Sequence, residues 1–312
     1  MDEGSAGDHQ TVLREEAVTA LVTDVNGFYV DGTFGRGGHT RALLARLGPR
    51  GRVLALDRDP EACRVGAALA AQDPRLEIRQ MSFADLLPHL AAQSDPTPVA
   101  GLLLDLGVSS PQLDDAARGF SFLRDGALDM RMDPGRGPSA ADWLAAASEA
   151  EIAQVLHDYG EERHARRIAR AIVRARAEQP LRRTVQLARV IAEAHPAWPS
   201  GRHPATQSFQ AIRIQVNGEL TALRAVLDQV LHLLAVGGRL VVISFHSLED
   251  RMVKRFIRDA EHPRVPRGLP IAEASVPRRL RALGRVIRPS AAAVAANPRA
   301  RSAVMRVAEK LA

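Results

Sequence analysis

The feature that most constrains this chain is the stretch Val30-Asp31-Gly32-Thr33-Phe34-Gly35-Arg36-Gly37-Gly38-His39. Its apolar lead-in, Phe28-Tyr29-Val30, predicts a short buried strand, and residues 40–47 predict a helix. The glycines therefore occupy a strand-to-helix turn, the place where a parallel α/β sheet binds a nucleotide-like ligand. Glycines at 32, 35, 37 and 38 admit positive φ and leave no side chain between backbone and ligand, while the helix start offers N–H groups without intrahelical partners. An ordinary tight loop would look the same in isolation.

The next strand separates the two readings. Arg52-Val53-Leu54-Ala55-Leu56 is followed at once by Asp57, 20 residues beyond Gly37. A carboxylate there is placed to accept hydrogen bonds from both hydroxyls of a ribose, and it can equally cap a helix beginning near Pro60. The dinucleotide fingerprint G-x-G-x-x-G/A fails, because the sixth position counted from Gly35 is Thr40. An acid at the end of strand one followed by G-x-x-G-x-G instead resembles the S-adenosylmethionine methyltransferases. That cofactor has no pyrophosphate; its sulfonium and amino-acid head call for an acidic, glycine-lined turn, and Asp31 is the acid there.

Further along, a third strand (76–81) ends at Ser82-Phe83-Ala84-Asp85, the segment that borders adenine in such an architecture. Phe83 is a candidate to face the ring, or a core residue. The fourth strand, 99–106, is the most apolar, and a carboxylate inside it, Asp105, is costly unless paired or functional. After Gln112 the alternation of strands and helices stops. Residues 139–194 read as helix throughout, capped at Ser139, at Ser148 with Glu151, and at Thr184. One of these helices carries Arg163, Arg166, Arg167, Arg170, Arg174 and Arg176; all but the last share one broad face, solvated or phosphate-binding.

The stretch 196–204 is expected to return the chain to the sheet. A helix over 217–236 should stop at Gly237-Gly238, followed by a strand over 239–245 that ends at His246-Ser247, and a helix over 248–260. A terminal hairpin is expected from 284–287 with 302–307, and residues 1–10 and 262–281 should be loose. The fold class is thus α/β: a Rossmann-like sheet with an inserted all-helical domain. The resemblance to methyltransferases, developed below, implies that residues 1–112 and 206–312 form the methyltransferase domain and that 113–205 are the insertion that would recognise RNA.

Hydrophobic residues make up 46% of the 312, enough for a sizeable core, and the net charge is +6. All but two of the 42 basic residues are arginine, which favours a polyanionic partner, although arginine richness can also reflect genome composition. The single cysteine, Cys63, forbids an internal disulfide and fits a reducing compartment. No apolar run approaches a membrane span and no signal peptide is evident, so a cytoplasmic protein without a membrane partner is expected. No His, Cys or carboxylate set has the spacing of a dedicated metal site.

Several longer runs sharpen the resemblance: Asp31 to His39, Leu56-Asp57-Arg58-Asp59-Pro60, Leu103 to Asp115, Arg118-Gly119-Phe120-Ser121-Phe122, Leu128 to Asp133, His203-Pro204-Ala205-Thr206 and Ile243 to Arg251. Together they resemble the bacterial family of 16S ribosomal RNA cytosine-N4 methyltransferases, over about residues 9–309. The resemblance implies S-adenosylmethionine-dependent N4 methylation of a cytidine in the decoding centre. The expected partner is 16S ribosomal RNA or the small ribosomal subunit, with a homodimer left open. The resemblance also carries the family's cofactor positions onto Gly37, Gly38, His39, Asp57, Phe83, Asp105 and Gln112.

The chemistry can be argued beside the resemblance. Carbon-5 methylation of cytosine needs a thiolate, and Cys63 follows strand two, away from the end of strand four. Methylating the exocyclic amine needs an acceptor that holds the amine and aims its lone pair, so positioning dominates. Amino-methyltransferases place Asp, Asn or Ser before Pro-Pro and an aromatic at this turn; Asp105-Leu106-Gly107-Val108-Ser109-Ser110-Pro111 lacks the aromatic. Asp105 is the catalytic candidate. If it serves the cofactor's amino group instead, Ser109, Ser110, Asn217 or His246 is left beside the amine, and His246 can equally be a cap. The competing readings are a DNA amino-methyltransferase and a non-catalytic RNA-binding protein.

Overall fold

The computed structural model describes residues 11–92, 97–196, 201, 203–263 and 277–312. The chain divides into two compact units, one made of residues 1–107 and 220–312, the other of Val108–Glu219. Among the described residues no helix is long and apolar enough to cross a membrane.

The first unit is built on a seven-stranded sheet in the order β3-β2-β1-β4-β5-β7-β6. Its strands are β1 (Phe28–Asp31), β2 (Arg52–Asp57), β3 (Leu76–Gln80), β4 (Val99–Asp105), β5 (Leu234–Ser244), β6 (Leu280–Ala282) and β7 (Val304–Lys310). The first five run parallel; β7 lies antiparallel to both β5 and β6. Runs such as Leu102-Leu103-Leu104 are apolar throughout because both faces are covered. Leu102 and Leu104 turn to one face, against α4 (Leu86–Ala91), α11 (Glu219–Leu233) and α12 (Ser247–Glu261). Leu103, Val241 and Ile243 turn to the other, against α1 (Arg14–Leu21) and α2 (Gly38–Arg46). Between β2 and β3 runs α3 (Pro60–Ala70), whose N-cap Asp59 accepts from the Glu61 N–H at 2.9 Å.

The second unit is helical: α5 (Ser110–Asp114), α6 (Ala140–Ala146), α7 (Glu149–Gly160), α8 (Ala165–Glu178), α9 (Thr184–Ala194) and α10 (Ala205–Asn217). Leu144, Ile152, Leu156, Ile168, Ile172, Leu187, Ile191, Phe209 and Ile212 form its core. Ser139 and Ser148 close reciprocal capping boxes with Asp142 and Glu151.

Three local expectations are corrected, and one helix is added. Residues 205–217, of which 205–216 belong to no expected element, form α10; Ala205, Ser208, Phe209, Ala211 and Ile212 are buried at helical spacing. The following helix ends at Leu233, and Gly237-Gly238 sits inside β5. There the register against β4 jumps from Val99↔Leu234 to Gly101↔Arg239, so residues 235–238 bulge. Gly237 takes φ +78°, and a side chain on Gly238 would meet the Val99 carbonyl at 2.9 Å.

Thr184 does not cap α9. It is the first helical residue, fully buried, with its hydroxyl accepting from the Gly126 N–H at 3.1 Å. Finally, β7 pairs with Leu280–Ala282, and from the expected partner segment only Ile287 bridges it, to Met305. Gly284, at φ +73°, turns the chain between the two. The expected tail at 1–10 and the middle of the 262–281 linker, 264–276, lie outside the described residues.

Candidate functional site

Three strands of the first unit end in a carboxylate at the same edge of the sheet: Asp31 on β1, Asp57 on β2 and Asp105 on β4. Residues 32–37 are laced across these ends. The Gly32 N–H donates to the Leu103 carbonyl at 2.9 Å, and the Phe34 N–H to that of Leu56 at 2.8 Å. The Gly35 N–H donates to Asp57 Oδ2 at 2.8 Å, and the Asp105 N–H to Thr33 Oγ1 at 2.6 Å. Gly37 caps α2 at φ +76°, a conformation that favours glycine. A Cβ there would lie 2.7 Å from the Phe34 ring, and one on Gly38 would collide with Thr11.

Asp31, the acid expected to meet a cationic head, is fully buried and already engaged. Its Oδ1 accepts from the Thr33 N–H at 3.1 Å and its Oδ2 from the Thr40 hydroxyl at 2.7 Å. Burial raises its pKa, against the lowering effects of His39 and these hydrogen bonds. Asp31 therefore organises the turn, and the acid that reaches the surface is Asp105, whose side chain is 23% exposed.

Asp105 Oδ2 stands 3.4 Å from His39 Nε2, and Oδ1 is a buried oxygen with no hydrogen-bond partner among the described residues. Burial disfavours the charged His39 ring, but the Asp105 carboxylate, with Asp31 behind it, outweighs that and raises the imidazole pKa.

Asp57 is held in a different way. Desolvation pushes its carboxyl up to about 6, although N–H groups of Asp59 and Gly35 bond to it and favour the charged form. Each oxygen accepts one backbone N–H and keeps a further acceptor direction. Phe83 opens a 3-10 turn, Phe83–Asp85, capped by Ser82 Oγ, and is half-buried; its Cβ lies 3.2 Å from where a Gly32 side chain would be. The turn is held by Gln229 of α11, which donates to the Ala84 carbonyl at 2.8 Å and accepts from the Leu87 N–H at 3.0 Å.

His246 follows the end of β5, beside β4, where Ile243 is the register partner of Asp105. Its ring nitrogens are buried and have no hydrogen-bond partner among the described residues, and Nε2 lies 3.0 Å from Glu249 Oε1. Glu249, itself buried, accepts from the Phe245 N–H at 2.9 Å. Gly37, Gly38, His39, Asp57, Phe83 and Asp105 thus gather around one turn, with His246 on the same edge of the sheet.

The other candidates belong to the second unit. Ser109 caps α5 and its N–H donates to Gln112 Oε1 at 2.9 Å. Asn217 is buried: its amide accepts from the Met132 N–H at 2.7 Å and donates to the carbonyls of Met130 and Arg213 at 2.7 and 2.9 Å. Those contacts brace a backbone in which Met130 takes φ +62°. Arg163, Arg166, Arg167, Arg170 and Arg174 are all exposed, and among the described residues only Arg170 has a carboxylate partner, Glu149 at 3.5 Å. Arg176 departs from that face and donates to the carbonyls of Leu144 and Ala147.

Thr33 and Gln229 were missed from the sequence. Thr33 lies inside the motif, but its bond to β4 is a tertiary contact; Gln229, far along the chain, gives no local signal at all.

A family model described as the MraW methylase family matches residues 6–311. The chain is 59% identical to "Ribosomal RNA small subunit methyltransferase H" of Chromohalobacter salexigens, over 97% of this chain and 92% of that one. It is 56% identical to the protein of the same name from Alcanivorax borkumensis, over 97% of each. The corresponding protein of Thioalkalivibrio sulfidiphilus is 59% identical, over 97% and 98%.

Proposed function

The chain belongs to the MraW methylase family, and on that premise we propose that it transfers a methyl group from S-adenosylmethionine to N4 of a cytidine in the decoding centre of 16S ribosomal RNA. The observation that carries this reading is the identity of more than half the residues, along nearly the whole of both chains, with proteins named for methylating small-subunit ribosomal RNA. The substrate is the RNA or the assembled small subunit, and the reaction belongs in the cytoplasm, where ribosomes are made.

The residues present fit the cofactor. The orphaned Asp105 Oδ1 suits the ammonium of a methionine tail, and the free acceptor directions of Asp57 suit two ribose hydroxyls. Gly37, Gly38 and His39 would line the amino-acid end, Phe83 the adenine, and Gln112 is carried over as a further contact. When bound, S-adenosylmethionine supplies a methyl group made electrophilic by its sulfonium. The protein's part is to hold the cytosine amine in line with that methyl and to accept its hydrogen bond. With Asp105 given to the cofactor's ammonium, His246, steadied by Glu249, is the acceptor left at this edge of the sheet; Asp105 is the catalytic acceptor if the ammonium is held elsewhere. Ser109 and Asn217 remain candidate substrate contacts; the amide of Asn217 is already committed to backbone, which favours His246 over it.

Attack through sulfur at carbon-5 has no support, since the sole thiol, Cys63, donates to the Asp57 carbonyl at the start of α3, with β1 between β2 and β4. The exposed arginines of α8 give the second unit a face for RNA phosphates.

The test is methyl transfer from labelled cofactor to small subunits, and to their extracted RNA, from cells lacking the modification. Nucleoside analysis should find N4-methylcytidine. Label in another nucleoside would overturn the N4 assignment, and label in neither substrate, with cofactor binding intact, would overturn the ribosomal target.

A further inference from the structure

The first unit carries a second cationic surface that the chemistry above does not use. On α12 the exposed side chains Arg251, Lys254, Arg255 and Arg258 follow helical spacing, while Val253, Ile257 and Ala260 are buried against the sheet. Where the last turns of α12 meet β6 and β7 lies a cavity of about 180 Å³, lined by Lys254, Arg258, Arg285 and Arg306, with the buried Ile257 as its apolar floor and the exposed Val286 beside it.

Two of its four cations are already matched. Arg306 grips Asp250 through two nitrogens at 2.6 and 3.1 Å, and Arg258 holds Asp259 at 2.7 Å. Lys254 and Arg285 are exposed and have no carboxylate or hydrogen-bond partner among the described residues. The cavity's one carboxylate, Glu261, accepts from the Ala282 N–H at 3.2 Å.

We propose that this cavity binds a backbone phosphate of the substrate RNA, with Lys254 and Arg285 as its ligands and the apolar floor beneath the adjoining ribose. Two unmatched cations above an apolar floor suit a sugar–phosphate unit, whereas a flat lipid surface would not enter a concave site. Its place also fits. Lys254 lies two turns, about 12 Å, along α12 from His246, so a strand presenting its base at the sheet edge leaves a flanking phosphate within reach.

The inference rests on the RNA reading above, and its test separates the two. The double variant Lys254→Ala, Arg285→Ala changes only exposed side chains. Its KM for unmodified small subunits should rise roughly tenfold near 0.15 M salt, and log affinity against log salt should be shallower by about 1 to 2. The kcat at saturating subunits and the affinity for S-adenosylmethionine should stay at wild-type values, and restoring Arg285 with Lys254→Arg should recover binding. Wild-type KM and salt slope in the double variant would overturn the phosphate site while leaving the methyltransferase reading intact. Weakened retention on anionic vesicles without change toward RNA would overturn it too. If the wild-type protein binds cofactor but methylates no RNA, the functional reading falls and the inference with it.

Discussion

Asp57 offers the sharpest test of the cofactor assignment, because its environment makes the same residue visible in two ways. A charged carboxylate accepting two ribose hydroxyls contributes roughly 1.5 to 3 kcal/mol per bond; with imperfect additivity, Asp57→Ala should cost about 2 to 4 kcal/mol, a roughly 30- to 1,000-fold rise in Kd. The same contact should be lost by protonation. With the carboxyl raised to about 6, most of it is ionised at neutral pH and little of it at pH 5. Two hydroxyl donors favour the ionised form, so cofactor affinity should fall about tenfold between pH 7 and pH 5, about 1.4 kcal/mol. The pKa of His39 is raised above its ordinary 6.5, so that ring gains charge as the pH falls, and the Asp57→Asn comparison separates it from the acid limb.

The stability of the free protein should move the opposite way. A carboxyl whose folded pKa lies above its unfolded value binds protons on folding. Stability should therefore decline as pH rises from about 4 to about 6 and change no further through this group above that. Equilibrium dialysis from pH 5 to 8 and urea unfolding over pH 4 to 8, on wild type and Asp57→Asn, measure both. Equal wild-type affinity at pH 5 and pH 7, or an acid limb that survives in Asp57→Asn, would refute the reasoning.

Three other variants probe neighbouring arguments. Gly37→Ala places a Cβ in left-handed backbone and 2.7 Å from the buried Phe34 ring; urea unfolding should show a loss of about 1 to 3 kcal/mol, and unchanged stability would contradict it. Gln229→Ala strands the Leu87 N–H and the Ala84 carbonyl; the KM for S-adenosylmethionine should rise severalfold with kcat preserved at saturation, whereas a fall in kcat alone would point elsewhere. Asn217→Ala should destabilise the protein by about 2 to 4 kcal/mol through the freed backbone of Met130 and Met132, without altering cofactor affinity. Full stability with methyl transfer abolished would instead make Asn217 a substrate contact.

The sheet of the first unit was legible from the sequence where one residue sufficed to mark each event. Apolar runs ending in Asp31, Asp57 and Asp105 gave β1, β2 and β4, and Gly37 marked the turn because backbone at positive φ narrows the choice of residue. Misreadings arose where tertiary context overrode local pattern. Gly237-Gly238 looks like a helix stop, yet β4 recruits the preceding residues into a bulged strand. Thr184 looks like a cap, yet the loop at 124–126 claims its hydroxyl. The site follows the same division. His39, Asp57 and Asp105 stood out as motif residues, but that Asp31 is consumed internally while Asp105 keeps an idle oxygen depends on distances no spacing encodes.

The pairing of β4 with β5 has a consequence for the order in which this protein assembles. Asp105 finds Ile243 only after the whole of Val108–Glu219 has been synthesised, so β4 leaves the ribosome with one edge bare and with the α11 and α12 cover of Leu102 and Leu104 still to come. The helical unit has its own core and neighbouring contacts in sequence, so its collapse is expected to precede and to shorten the effective tether that must close. Pulsed hydrogen exchange during refolding should accordingly protect amides of α7 and α8 before those of β4 and β5. Until β5 docks, the nascent chain exposes an apolar strand edge, and the growing protein is at its most vulnerable to mispairing in that interval.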